Sequence, residues 1–328
     1  MIDQIQEAHA AFEQMLDRIE VLSARGEHEL AASAAQHAAN RAWLRHCGIF
    51  ASPRLERALA GLATALRPAA SFPRNTEGQR KVALVATRAF PAGGHSRILW
   101  RWAQLDRNSR HTIVLTQQQG VAIPEQIGAM QAAGEVDVAM ITGDGWLGKA
   151  AALRDVLAGH DVVILLTHPD DPLPCIAIPA LSPSPPVLTL DHASHTFWLG
   201  AGIADKVISM DSHVNEERRG IPAEAIAWIP LPLDLERLAK APHGNRVRSE
   251  HGIPDDATLI LSCGSAYKFW PIDGISLASL VAPALARHPG THLLAVGATA
   301  SPAWNQLAEQ YPGRVHLGGA LFESELLA

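Results

Sequence analysis

The sequence predicts an α/β protein: two domains built on parallel sheets, preceded by a segment of helices alone. Three observations predict it. Short, fully apolar, β-branched runs begin at Lys81 and recur between stretches long enough for a helix, as in a parallel sheet covered on both faces. Before them, residues 1–72 show helical periodicity only. A proline-rich, weakly periodic stretch, 229–244, reads as a linker that divides the alternation in two.

At 328 residues the chain is long enough for two cores of ordinary size. A net charge of −6 leaves no basic footprint, so nucleic acid is not an expected partner. Cys47, Cys175 and Cys263 lie far apart without a C-x-x-C pair, which argues against a zinc ribbon or disulfide framework. The acidic, amphipathic N-terminus does not resemble a signal peptide, and no apolar run reaches the roughly 20 residues that span a bilayer. The expected location is cytoplasmic, at most at the inner face of a membrane.

In chain order, Ile2, Ile5, Phe12, Leu16 and Ile19 mark a first helical stripe. Gly26 interrupts it, and Leu30, Ala34, Ala38, Trp43 and Leu44 suggest a second helix. Ser52-Pro53 is an N-cap followed by proline at the first helical position, and Leu55, Leu59, Leu62 and Leu66 continue a third. This segment reads either as a bundle packed on the main body or as a lone repeat unit for docking a partner. Candidate strands follow at 81–87, 111–116, 136–142, 161–167, 186–191 and 205–210, with crossover helices such as His95–Leu105 and Ala150–Leu157. After the linker come strands 257–264, 291–297 and 314–319, with helices near Ile275–Arg287 and Trp304–Gln310. A Rossmann-like half usually has five or six strands, so the second domain is expected to be incomplete at Ala328. The expected domains are 1–72, 80–232 and 245–328.

Ligands of open α/β sheets bind beyond the carboxyl ends of the strands, which directs attention to the residues after each strand. The first strand leads into Pro91-Ala92-Gly93-Gly94-His95. Paired glycines before a helix let backbone approach a ligand and aim amides at it, or simply form a tight turn. The pattern is not G-x-G-x-x-G, which disfavours a dinucleotide. The fourth strand ends in Thr167-His168-Pro169-Asp170-Asp171 and the fifth in Asp191-His192-Ala193-Ser194-His195. Histidines there suit general-base work or hydrogen bonds to phosphate and hydroxyl groups, or local capping. Their spacing matches no standard metal motif, so no metal is expected. The first strand of the second domain leads into Gly264-Ser265-Ala266-Tyr267-Lys268, where a flexible ammonium suits a departing diphosphate. Trp270 is expected to pack rather than to form a sugar platform.

These features together resemble the two-Rossmann-domain (GT-B) glycosyltransferases. LDHASHTFWLGAGIADKVISM (190–210) and GSAYKFWP (264–271) are similar to stretches of protein O-GlcNAc transferases and bacterial cytoplasmic N-glycosyltransferases. The retaining glycan-building enzymes share the Gly-Gly loop and layout. The resemblance covers roughly residues 81–328 and implies transfer of a sugar from a nucleotide-sugar donor, UDP-linked, to a protein or glycan. It implies that Gly93 and Gly94 border acceptor or donor phosphates, with His95 and His168 at the substrate. His192 and His195 would lie beside the reacting centre, and Lys268 with Ser265 would hold the leaving diphosphate. No cofactor besides the donor is implied. Two other functions fit the same features: a nucleotide-sugar epimerase, and a non-catalytic binding module.

Overall fold

The computed structural model describes residues 2–69, 78–91, 93–210, 219–230, 246–272 and 274–319. All but the first two residues of the expected linker 229–244, and the whole terminal stretch 323–328, lie outside the described residues. The chain divides into two compact units, Met1–Pro232 and Leu233–Ala328.

The first unit opens with three helices, α1 (Ile2–Ala24), α2 (His28–Leu44) and α3 (Pro53–Gly61). Ser52 caps α3 as expected, its hydroxyl accepting the Leu55 amide at 3.2 Å. The third helix is shorter than its leucine spacing predicts. At Gly61, a poor helix former, it tightens into a 3₁₀ turn over Leu62–Ala65, leaving Leu66 beyond it. In α2 the buried stripe is made of alanines (Ala31, Ala35, Ala38, Ala42), whereas Leu30 and Leu44 are exposed. Small side chains let α2 lie close against its neighbours.

Seven strands form one parallel sheet in the order β3-β2-β1-β4-β5-β6-β7. They are β1 (Arg80–Ala86), β2 (Ser109–Leu115), β3 (Val136–Met140), β4 (Val162–Leu166), β5 (Val187–Asp191), β6 (Lys206–Ser209) and β7 (Ile226–Trp228). The first six match the apolar runs of the sequence. The seventh is a three-residue edge strand too short for periodicity to reveal. Alternate side chains of each strand face opposite ways, and the two faces have different covers. Ala83, Val85, Val163 and Leu165 share a core with Phe12, Leu16, Ile19, Leu55 and Leu59 of the N-terminal helices, and with α6 (Gly145–Leu157) and α7 (Leu173–Ala177). Leu84, Ala86, Ile164 and Leu166 pack instead on α4 (Gly94–Leu105) and α5 (Glu125–Ala132). The N-terminal helices therefore cover one face of the sheet.

In the second unit β8 (Thr258–Cys263), β9 (Thr291–Val296) and β10 (Val315–Leu317) form a parallel sheet in the order β10-β9-β8. Helices Leu277–Arg287 and Pro302–Gln310 cover it, burying Leu285, Leu293, Trp304 and Leu307. Gly297, at φ +86°, is required by close approach: a Cβ there would stand 1.9 Å from the Gly264 carbonyl oxygen. No described helix is long and apolar enough to cross a membrane.

Candidate functional site

In the large sheet β1 pairs with both β2 and β4. The chain builds outward from β1 through β2 and β3, then returns to β4 on the other side, so the connections from β1 to β2 and from β4 to β5 run in opposite directions along the sheet. This switch point is where an open α/β sheet has a crevice beyond its carboxyl ends. Ala86 pairs with Leu115 and with Leu166, so Thr87, Thr116 and Thr167 all begin their loops at one height. Leu165 pairs with Thr189, and the same register three residues on places His168 beside His192.

Asp171 is fixed first. Its carboxylate is buried, accepts the hydroxyls of Thr87 (2.7 Å) and Thr116 on one oxygen, and accepts the Leu173 amide (3.1 Å) on the other. Burial pushes its carboxyl up, against those three bonds. The Thr87 hydroxyl in turn accepts the His168 amide at 2.8 Å. The turn after β4 is thus tied to the turn after β1.

His168 comes next. Its Nδ1 donates to Asp170 Oδ1, while Asp170 Oδ2 accepts from Gln36 Nε2 and Asn40 Nδ2 of α2, both at 2.8 Å. Burial opposes the charge of Asp170, but the bonds from His168 and Asn40 hold the carboxyl below its usual range. With Nδ1–H engaged, Nε2 carries the free lone pair, and the side chain of His168 is 41% exposed. The Trp43 ring meets the His168 ring edge to face at 4.3 Å.

His95 and His192 form the other half of the cluster, stacked at 4.3 Å. His95, in the first turn of α4, donates from Nε2 to the Leu166 carbonyl. Burial, then the neighbouring His192 and His168, bring its pKa down to about 4 despite that bond. His192 donates from Nδ1 to the Leu190 carbonyl at 3.3 Å and is also pushed down by burial. Gly93 precedes the helix at φ +119°, which a residue with a Cβ rarely adopts, and Ser96 closes the turn by accepting the Phe90 amide. His195 is not part of the group. Ala193 and Thr196 close a tight turn that leaves His195 exposed at its tip.

The loop after β5 is anchored at two places. The Arg219 guanidinium lies over the Phe50 and Trp198 rings and donates to the carbonyls of Ser194 (3.1 Å) and Thr196 (2.7 Å). Glu56 of α3 accepts the amides of Gly200 and Ala201 on one oxygen and of Gly202 on the other. Beneath His192 a cavity of about 10 Å³ is lined in part by Thr189, Asp191 and Trp198. Thr189 Oγ1, Asp191 Oδ2 and Trp198 Nε1 make no hydrogen bond with the described residues. Among those residues no group of three or more His, Cys, Asp or Glu is arranged to hold a metal ion.

The second unit, taken by itself, carries the residues singled out after β8. After β8 the chain passes Gly264 into a 3₁₀ turn, Ala266–Phe269, with the exposed Ser265 preceding it. The Lys268 amide donates to the Ser265 carbonyl at 2.9 Å, and its stem packs over Gly264, leaving the residue exposed. Trp270, expected to pack, is 66% exposed; Phe269 fills the core position instead.

The first unit thus brings together His95, His168 and His192, with Gly93 and Gly94 opening the helix that carries His95. Sequence reasoning missed Gln36, Asn40 and Trp43 and left Asp170 and Asp171 without a role. The His-x-Asp spacing at 168–170 is the one signal that points to part of this set.

No protein-family model matches the sequence, and none of the curated proteins does. Solved structures do share its architecture. The chain is similar to HepE from Anabaena in complex with UDP (14% identity, TM-score 0.53), covering 75% of this chain and 71% of that one. It is similar to a glycosyltransferase from Rickettsia africae (13% identity, TM-score 0.54), over 76% and 70% of the two chains. HepE with UDP and glucose gives 15% identity and a TM-score of 0.53 over 76% and 71%. The chain has the GT-B fold, two Rossmann-like units behind a helical segment.

Proposed function

We propose that the protein transfers a sugar from a UDP-linked donor to a hydroxyl of a protein or glycan acceptor, with His168 as the general base. The observation that carries this is the His168–Asp170 pair, seated beside the switch point of the sheet with its imidazole partly open. A buried carboxylate behind a histidine fixes the tautomer and stabilises the imidazolium that forms when a proton is taken. The acceptor hydroxyl gives its proton to His168 Nε2 while its oxygen bonds to the sugar's anomeric carbon. The bond from that carbon to the diphosphate oxygen breaks, and its electron pair leaves with UDP. His95 and His192, kept neutral with their N–H groups on main-chain carbonyls, accept hydrogen bonds from hydroxyls through the remaining ring nitrogen, and Gly93 and Gly94 offer backbone amides at the start of α4. In the second unit, Lys268 and Ser265 supply a cation and a hydroxyl of the kind a diphosphate needs. HepE, similar in fold, has been captured with UDP and with UDP and glucose, which supports a UDP-linked donor.

Calorimetry of the full chain against a panel of nucleotide sugars identifies the donor, and UDP release with and without candidate acceptors reads turnover. His168→Asn is expected to keep donor affinity and to lose turnover by about a hundredfold or more, the scale of general-base catalysis. Unchanged turnover in that variant removes the base from His168. Conversion of a nucleotide sugar to its isomer without UDP release replaces transfer by epimerisation. Donor binding without chemistry leaves a binding module.

A further inference from the structure

We infer that helix α2 belongs to the proton-accepting assembly: Gln36 and Asn40 hold Asp170 so that its remaining oxygen fixes His168 with Nε2 open to the acceptor. This rests on His168 being the base, and gives the N-terminal helices a part in the chemistry beyond covering the sheet.

The geometry is specific. Gln36 and Asn40 are four residues apart, so both side chains leave the same face of α2, and both donate to the same oxygen, Asp170 Oδ2, at 2.8 Å. With Oδ2 occupied twice, Oδ1 is left for His168 Nδ1. The Asp170 side chain is only 12% exposed, so water contributes little to orienting it. Trp43, three residues beyond Asn40 on the same face, sets its ring edge to face against His168. One helix therefore supplies both donors behind the carboxylate and the wall beside the imidazole. The carboxylate at 170 and the amides at 36 and 40 are separated by 134 and 130 residues, so the arrangement exists only when α2 is docked. Gln36 and Asn40 are positioning residues, acting through Asp170.

Two donors that merely fastened α2 to the body would leave the imidazole proton where it is on removal, which separates the two roles. Nitrogen NMR of histidine-labelled full chain reads the tautomer directly. Wild type is expected to show His168 as the Nδ1–H tautomer, with His168→Asn assigning the signal. Gln36→Met with Asn40→Leu, similar in volume, is expected to give a mixture of tautomers. Asn40→Ala alone, which keeps Gln36, is expected to give a smaller shift and serves if the double variant does not fold. In turnover both variants are expected to lose kcat, by about ten- to hundredfold for the double variant as for other losses of an orienting outer partner, with the donor KM unchanged. An unaltered Nδ1–H signal in the folded variants overturns the inference. A changed tautomer in a protein that turns over no nucleotide sugar upholds the positioning and rejects the transfer function.

Discussion

His168 and His192 leave neighbouring strands at one height, yet only His168 has a carboxylate behind it. That difference is why the base is proposed at His168. The Nδ1 proton of His192 goes to a main-chain carbonyl, its ring is stacked on another imidazole, and burial outweighs the Leu190 bond and the Asp191 charge that favour an added proton. His195 is exposed on the turn beyond. On the second unit Lys268 is a point cation whose stem is steadied over Gly264 and whose head is in solvent. Replacing it with alanine is expected to weaken UDP binding by about 1–3 kcal/mol, the range for a charge-assisted hydrogen bond. Calorimetric titration with UDP checks this, and an unchanged Kd takes Lys268 out of the donor site. At this scale the sequence is half legible. Thr167-His168-Pro169-Asp170-Asp171 advertises chemistry through residue type and strand-end position, but Gln36 and Asn40 are ordinary amides in an alanine-rich helix. No local spacing links them to a carboxylate more than a hundred residues away.

At the scale of elements, buried parallel strands announce themselves because both faces must be apolar, so β1 to β6 stand out from the sequence. Helix α2 does not announce its inward face, because its stripe is alanine and its leucines at 30 and 44 point to solvent. Close packing, rather than bulk, is what the stripe provides. The short helix α3 reaches further than its leucines suggest. Through Glu56 it holds the chain at Gly200–Gly202, opening the 3₁₀ turn Ala201–Ile203. Burial pushes the Glu56 carboxyl up while those three amides pull it down, so the residue keeps its place only as long as all three bonds are made. Glu56→Ala leaves three amides without their acceptor and is expected to cost at least about 2 kcal/mol. Urea unfolding should show a lower midpoint at an unchanged slope. Glu56→Gln, which keeps an acceptor oxygen, should cost less. Equal stability of wild type and Glu56→Ala would mean that Arg219 alone anchors the loop.

Across the whole molecule the buried histidines make stability depend on pH in a direction the structure fixes. His95, at about 4, and His111, His160 and His192, each pushed down chiefly by burial, all resist protonation in the fold. In the unfolded chain the same imidazoles take up protons near 6.5. As pH falls below that value the unfolded state binds more protons than the fold, so stability drops. For His95 the loss runs from 6.5 down to about 4 and is then complete. The lowered carboxyls of Asp106, Asp155 and Asp170 act in the same direction but later, as pH falls below 3.8. Asp171 and Glu56 act the other way, because their raised carboxyls are protonated in the fold before they are in the open chain. A wild-type curve alone therefore mixes signs. His95→Asn separates them: its side-chain amide can still donate to the Leu166 carbonyl but does not titrate. Unfolding free energies from about pH 7.5 to about pH 4.5 should fall less steeply for the variant. The two slopes should differ by up to one proton between 6.5 and about 4 and should agree at the alkaline end, where the imidazole is neutral in both states. Parallel curves throughout would mean that His95 takes up its proton in the fold as readily as in the open chain, and that its place beneath Leu166 and against His192 does not keep it neutral.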